Sequence, residues 1–305
     1  MNLKYKAYTL KNYKEIPQVN NLSKEDQFAV DVVGAVFPFK TNNYVVNELI
    51  DWENFKTDPM FVLHFPQKGM MDDEHFEEIS LLIKRGASKL EIKAAANKIR
   101  SQLNPHPAGQ LEENSPFIDG KRHSGMQHKY RETVLFFPSQ GQTCHAYCTF
   151  CFRWPQFVGI DELRFASKDI ETLISYLFKH REITDVLLTG GDPLTMKTKF
   201  LEFYINRILE SDLPHVRTIR IGTKALAHWP QRFFSEDDSE EMLALFRKVV
   251  ESGRHLAVMA HFNHQRELGT ESAVRAIKLI RDTGAEIRTQ SPLLRHINDK
   301  SEIWA

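Results

Sequence analysis

The chain has 305 residues, and its 40 Lys and Arg are matched by 40 Asp and Glu, so the formal charge is zero. No polybasic tail speaks for nucleic acid and no acidic tail for a basic partner. The apolar share of 42% is that of an ordinary globular chain. No stretch approaches the roughly 18 apolar residues of a membrane span, and Met1-Asn2-Leu3-Lys4-Tyr5-Lys6 lacks the apolar core of a signal peptide.

Residues 1–22 are polar and are expected to be loosely attached. Ser23 then opens a helix, with Asp26 three residues later and Phe28, Val30, Val32 and Val33 as its apolar positions, closed by Phe37-Pro38-Phe39. Residues 45–66 read as short helices and loops. Glu74–Arg85 reads as a helix stopped by Gly86, and Ser88-Lys89-Leu90-Glu91 is a capping box for a helix to about Leu103. The Pro- and Gly-rich stretch 104–127 reads as a linker. These elements make residues 1–127 a helical N-terminal region with its linker.

From residue 128 the pattern alternates. Strands are expected at Val134–Phe137, Asp185–Leu188, Thr218–Ile221, Leu256–Ala260 and Glu286–Leu294. Between them lie helices: one capped by Ser167 with Ile170, Leu173, Ile174, Leu177 and Phe178 on one face, then Phe200–Leu209, Glu240–Val250 and Glu271–Arg281. This order predicts an α/β fold with a parallel sheet and right-handed crossovers. Five strands suit a partial (β/α) barrel over 128–305 better than a closed eight-stranded one. The distinctive polar clusters each follow a strand, at the end where such sheets place their chemistry.

All three cysteines lie in one stretch, Cys144-His145-Ala146-Tyr147-Cys148-Thr149-Phe150-Cys151. Thiolates suit zinc, copper(I) or iron–sulfur clusters. An iron–sulfur cubane normally takes four cysteines, so three leave one iron open to another ligand. The competing reading is a zinc knuckle completed by His145, although no second ligand pair appears. Disulfides fit poorly, since the count is odd and the loops are short. Clustered thiols suit a reducing compartment, so a cytoplasmic protein is expected.

Two further clusters stand at strand ends, and one arginine stands beside the cysteines. Thr189-Gly190-Gly191-Asp192 lets backbone approach a ligand closely, or is simply a tight turn. His261-Phe262-Asn263-His264 offers two imidazoles but no acid to complete a metal set. Arg153, two residues past Cys151, is either a surface arginine or a clamp for a carboxylate. Gln290 and Asp299 read alone as ordinary strand-end and turn residues.

Taken together, the C-x3-C-x2-C loop, Asp185-Val186-Leu187-Leu188-Thr189-Gly190-Gly191-Asp192-Pro193-Leu194, Ile219-Arg220-Ile221-Gly222-Thr223-Lys224, His261-Phe262-Asn263-His264 and Leu293-Leu294-Arg295-His296-Ile297-Asn298-Asp299 resemble the lysine 2,3-aminomutase family of radical S-adenosylmethionine enzymes. His128-Lys129-Tyr130 resembles that family's H-R-Y element, and the likeness extends over about residues 20–303.

The resemblance implies a 4Fe-4S cluster on Cys144, Cys148 and Cys151. It implies S-adenosylmethionine held by Phe150, Thr189, Gly190, Gly191, Asp192, Thr223, His261, Asn263 and Gln290. It further implies an amino-acid substrate bound through Arg153 and Asp299, and a pyridoxal 5′-phosphate neighbourhood around Lys129 and Tyr130. In the family, a reduced cluster cleaves S-adenosylmethionine to a 5′-deoxyadenosyl radical, which takes hydrogen from the substrate before a 1,2-amino migration. An isomerase is therefore expected, with a flavodoxin- or ferredoxin-like electron donor. Assembly is open between monomer and homo-oligomer, and no nucleic acid or membrane is expected among its partners.

This sequence departs from the family pattern at Thr133, where the family has an arginine, and at Lys129 in the H-R-Y element. The family's Gly-rich C-terminal segment, with its pyridoxal lysine, has no counterpart before Ala305. No residue is assigned as catalytic. Two alternatives stay open: another radical reaction without pyridoxal phosphate, and a non-enzymatic iron–sulfur or zinc module.

Overall fold

A computed structural model describes residues 4–104, 106–118 and 120–304. The chain divides into two compact units. One comprises Tyr5–Pro107 and Ala146–Arg164; the other contains Ala108–His145 and Phe165–Ala305.

The first unit begins with β1 (Ala7–Thr9) and continues through α1 (Lys24–Val36), β2 (Lys40–Asn42), α2 (Pro59–His64), α3 (Asp73–Lys84) and α4 (Lys89–Leu103). The expected starts of α1 and α4 are present as capping bonds. Ser23 Oγ accepts the Asp26 N–H at 3.0 Å, and Ser88 and Glu91 cap each other reciprocally. Val32, Val33 and Val36 of α1 pack on Ile79 of α3 and on Ala96 and Ile99 of α4. Arg100 of α4 donates to the carbonyls of Ala35 and Val36, supplying partners that the end of α1 lacks within its own helix.

The N-terminal stretch is not loose. Its β1 pairs antiparallel with β2, and Tyr13, Ile16 and Val19 are buried on successive 3₁₀ turns. A three-residue apolar spacing inside polar sequence matches the 3₁₀ period, which a helix or strand template overlooks.

The second unit opens with α5 (Pro107–Glu112) and a small hairpin of β3 (Phe117–Ile118) and β4 (Lys121–Arg122). The expected linker is thus partly structured: Pro107 starts a helix, where its missing N–H costs nothing. Then come β5 (Met126–Tyr130), β6 (Thr133–Phe136), α6 (Ile170–Lys179), β7 (Asp185–Leu188), α7 (Thr198–Glu210), β8 (Thr218–Thr223), α8 (Ala225–His228), α9 (Ser239–Glu251), β9 (His255–His261), α10 (Glu271–Arg281) and β10 (Glu286–Gln290).

Strands β5 to β10 form one sheet in sequence order. The five expected strands are parallel, and β5 adds an antiparallel sixth beside β6. The sheet is not closed: β10 and β5 are its edges. Strand β10 is shorter than expected and ends at Gln290. At α6 the cap is Asp169, whose Oδ1 accepts the Thr172 N–H at 3.1 Å; Ser167 serves the preceding turn. Phe178 falls off the buried face of that helix and is 40% exposed.

Side-chain alternation sorts the sheet into two faces. Val134, Phe136, Val186, Leu188, Ile219 and Ile221 are buried in the main core together with residues of α6, α7 and α9. Register places Asp185, Arg220, Met259, His261 and Gln290 on the other face. Among the described residues no helix is long and apolar enough to cross a membrane.

Candidate functional site

In the sheet unit, chemistry gathers past the C-terminal ends of β7, β8 and β9. The chain leaves β7 through Thr189-Gly190-Gly191-Asp192. The Gly191 N–H donates to the Gly141 carbonyl at 3.1 Å, and the Asp192 N–H reaches the Thr143 carbonyl at 2.7 Å. The two glycines make this approach geometrically feasible. A Cβ on Gly191 would stand 2.5 Å from the Thr143 carbonyl oxygen, and one on Gly190 2.3 Å from Gln142 Nε2. The glycine pair therefore joins the β7 end to the backbone immediately before Cys144.

Asp192 is buried and its carboxylate is engaged within the chain. Its Oδ1 accepts the Leu194 N–H at 2.9 Å and the Thr223 hydroxyl at 2.7 Å, and its Oδ2 accepts the Lys224 N–H at 2.9 Å. His145 Nδ1 lies 4.0 Å from Oδ2. Burial pushes the Asp192 carboxyl up to about 6, against the pull of these donors. The expected residues Asp192 and Thr223 are thus brought into direct contact. Arg232 holds the same loop from behind, donating to the carbonyls of Leu194 and Met196 and to Asp238.

Past β8 and β9, Lys224 Nζ donates to Glu267 Oε1 at 3.0 Å, with side chains 9% and 0% exposed. The other Glu267 oxygen accepts the N–H groups of Asn263 and His264. His261 is paired in register with Gln290 on the adjacent strand. Burial, and then the Lys224 charge, push the His261 imidazole down to about 4, so it is neutral near pH 7. Asn263 Nδ2 lies 3.4 Å from His261 Nε2, while Asn263 Oδ1 is buried with no hydrogen-bond partner. Gln290 is exposed on β10.

Sequence reasoning missed Lys224 and Glu267 as site residues. Lys224 directly follows a strand, and Glu267 stands three residues after His264, a capping-box interval that was a usable signal.

The other unit carries Cys148, Phe150, Cys151 and Arg153. Tyr147 N–H extends the β2 edge by donating to the Lys40 carbonyl at 2.8 Å. Thr149 caps α2: its N–H donates to the Leu63 carbonyl at 2.9 Å and its hydroxyl to the Val62 carbonyl at 2.8 Å. A crevice of only about 10 Å³ beside Cys148 is lined by Phe37, Phe39, His64, Tyr147 and Trp154. The Cys151 N–H turns back to the Cys148 carbonyl at 3.2 Å. Burial pushes the Cys151 thiol up, and the Arg153 N–H and guanidinium oppose that shift. Phe150 and Arg153 are half-buried, with the Arg153 guanidinium bonded to Gln156.

The remaining expected residues stand apart from these groups. Asp299 is exposed on the loop after β10, its carboxyl held below the usual range chiefly by the His296 N–H. Lys129 and Tyr130 are exposed on β5, with the ammonium 5.6 Å from the phenol ring centroid. Thr133 donates to Asp185, which Arg220 also engages.

The residues can be tested against the groups that the sequence implies. Three half-buried thiols, with no disulfide among them, match a cluster that lacks one protein ligand. The partnerless Asn263 Oδ1, on the strand-end side that grips the cysteine loop, fits a ligand donor such as S-adenosylmethionine carries. Lys129 and Tyr130 do not fit pyridoxal phosphate: both are solvent-exposed on an edge strand.

The architecture of the sheet unit is that of a parallel α/β protein with its polar groups at the strand C-terminal ends. The chain is 34% identical over 300 residues to a protein of Aquifex aeolicus provisionally named L-lysine 2,3-aminomutase, a match covering 98% of this chain and 66% of the relative. It is 31% identical over 218 residues to the L-lysine 2,3-aminomutase of Acetoanaerobium sticklandii, covering 70% and 49%. Over 156 residues it is 33% identical to the glutamate 2,3-aminomutase of Clostridioides difficile, covering 51% and 34%. No protein-family model matches. The chain belongs to the lysine 2,3-aminomutase-like family. It spans about 66% of the Aquifex relative and less of the others.

Proposed function

We propose that this chain is a radical S-adenosylmethionine enzyme acting on an amino acid, with Cys144, Cys148 and Cys151 holding a 4Fe-4S cluster. The observation that carries this reading is the pair of bonds from Gly191 and Asp192 to the carbonyls of Gly141 and Thr143, which join the glycine loop to the chain just before Cys144. When bound, the cluster and S-adenosylmethionine supply one-electron chemistry able to remove hydrogen from an unactivated carbon.

The protein's part is positioning. Thr189, Gly190 and Gly191 bring backbone close to the ligand, Asp192 and Thr223 stiffen that loop, and His261, Asn263 and Gln290 face it from the adjoining strands. Neutral His261 adds no competing charge there. Phe150 offers an aromatic surface for adenine, and Arg153 a planar cation for a substrate carboxylate. Asp299 is proposed as a contact for a basic substrate side chain. The strand order suits a partial barrel, the thiols suit a reducing cytoplasm, and a flavodoxin- or ferredoxin-like donor would supply the electron.

The exposure of Lys129 and Tyr130 favours a reaction run by this chain without pyridoxal phosphate. A 1,2-amino migration would require a pyridoxal site that these residues do not provide.

Anaerobic reconstitution is expected to load about four irons and, after reduction, to support S-adenosylmethionine cleavage that Cys148→Ala abolishes. One zinc and no iron, or cleavage retained in C148A, would refute the assignment. Titration with pyridoxal phosphate followed by borohydride trapping is expected to leave no label; a stoichiometric label would restore the aminomutase reaction to this chain.

A further inference from the structure

We infer that the buried Lys224–Glu267 ion pair is a positioning element that orients Asn263 to accept a hydrogen bond from S-adenosylmethionine; this rests on the reading above that the strand ends hold that ligand. The pair grips the turn after β9 at three points. Lys224 Nζ donates to the His261 carbonyl at 3.4 Å as well as to Glu267 Oε1 at 3.0 Å. Glu267 Oε2 accepts the N–H groups of Asn263 and His264. The Asn263 carbonyl is held from the opposite side by Asn298 Nδ2 at 3.0 Å. The Asn263 N–H and carbonyl are therefore both held by side chains, Glu267 from its own turn and Asn298 from the loop after β10.

What remains unmatched is the Asn263 side-chain carbonyl. Its residue is 0% exposed, its Nδ2 is directed at His261 Nε2, and its Oδ1 has no partner. A buried acceptor left in that state is costly, and a fold that holds its backbone at both ends prevents it from turning to water. The pair itself gains the fold little: a buried ion pair is often no better than apolar side chains of the same volume. What the pair does supply is the geometry it imposes on Asn263. S-adenosylmethionine carries two N–H donors suited to a neutral carbonyl, the α-ammonium and the adenine amine.

The test is ligand binding, measured without turnover. Cluster-loaded, oxidised protein is equilibrated with radiolabelled S-adenosylmethionine, and iron content and melting temperature are followed in parallel. E267Q keeps the side-chain shape and removes the charge. It is expected to keep its iron and to weaken binding about 10- to 100-fold, the range for a lost charge-assisted hydrogen bond. N263A is expected to weaken binding similarly. The double variant should lose little more than N263A alone, because both changes act on one contact. K224Q should behave as E267Q does, and K224R should recover most of what K224Q loses; these variants decide the matter if E267Q does not fold. Unchanged binding in E267Q, or losses in E267Q and N263A that add in full, would overturn the inference while leaving the enzyme reading intact. Wild-type protein that carries its cluster but binds no S-adenosylmethionine would overturn both.

Discussion

The two ends of the parallel sheet use the same pieces to different effect. At the C-terminal ends, Asp192, Thr223, Lys224 and Glu267 form a buried chain of bonds that ties loops together, and Asn263 Oδ1 beside it is left without a hydrogen-bond partner. At the N-terminal ends, Asp185, Arg220 and Thr133 bond one another across three strands and close on themselves. That lower cluster lines an opening of about 320 Å³ shared with His255 and Arg288. The Asp185 and Arg220 side chains are 13% and 25% exposed, so water can reach them. A self-satisfied network near solvent holds strands in place. A buried one with an acceptor left over is arranged for something to arrive.

The largest expected effect is at Asp192. Asp192→Ala strands three buried donors, those of Leu194, Thr223 and Lys224. At about 1–3 kcal/mol for each unsatisfied group, a loss of about 3 kcal/mol or more in denaturant unfolding is expected. A loss below about 1 kcal/mol would mean that water replaces the carboxylate and that the upper network is not sealed.

The same residue gives a pH signature. Burial pushes the Asp192 carboxyl up to about 6 in the folded chain, from an ordinary value of 3.8 that unfolding restores. Between those values the folded chain holds a proton that the unfolded chain has released, so rising pH there favours unfolding. The stability of the wild type relative to Asp192→Asn should therefore fall between about pH 4 and pH 6 and level off above. His261 acts with opposite sign, since burial pushes it down to about 4, below the ordinary imidazole value of 6.5. Its contribution is full above pH 6.5 and is lost as pH falls toward 4, so His261→Asn should flatten the acid limb. Urea midpoints across this range check both slopes, and parallel curves for wild type and D192N would show that Asp192 is solvated.

At the lower end, Arg220→Met leaves Asp185 with the Thr133 hydroxyl and nearby water. A loss of about 1–2 kcal/mol is expected, with S-adenosylmethionine binding unchanged. A matching loss of ligand affinity would mean that the two ends are coupled through β7 and β8.

Much of the sheet unit was legible because period and punctuation agreed. Asp185–Leu188 and Glu271–Arg281 were read to the residue, and α4 was placed by its capping box. The misreadings have local causes. Tyr13, Ile16 and Val19 follow a 3₁₀ spacing that neither template detects, and β5 gains its strand character by pairing with β6. Phe178 was placed on the buried face by hydrophobicity alone. For the site, the motifs fall at or just past the ends of β7, β8 and β9, where Asp192, Thr223 and Asn263 stand. What they could not show was that Asp192 spends its oxygens on its own chain, because those donors come from residues up to 32 positions away. Lys224 and Glu267, 43 positions apart, were hidden for the same reason.

The smallest expected effect concerns the other unit, where the loop carrying Cys148 is built on a helix end and not on a sheet. Thr149 donates through its N–H to Leu63 and through its hydroxyl to Val62. Thr149→Val keeps the shape and the N–H and removes one bond, so a loss of about 1 kcal/mol is expected, with recovery in Thr149→Ser. The informative comparison is with iron retention. If α2 sets the position of Cys148, T149V should lose iron to a chelator faster than wild type at a temperature where both are fully folded, and T149S should not. Equal rates would mean that the N–H bond to Leu63 and the Tyr147 bond to β2 hold the loop without the hydroxyl.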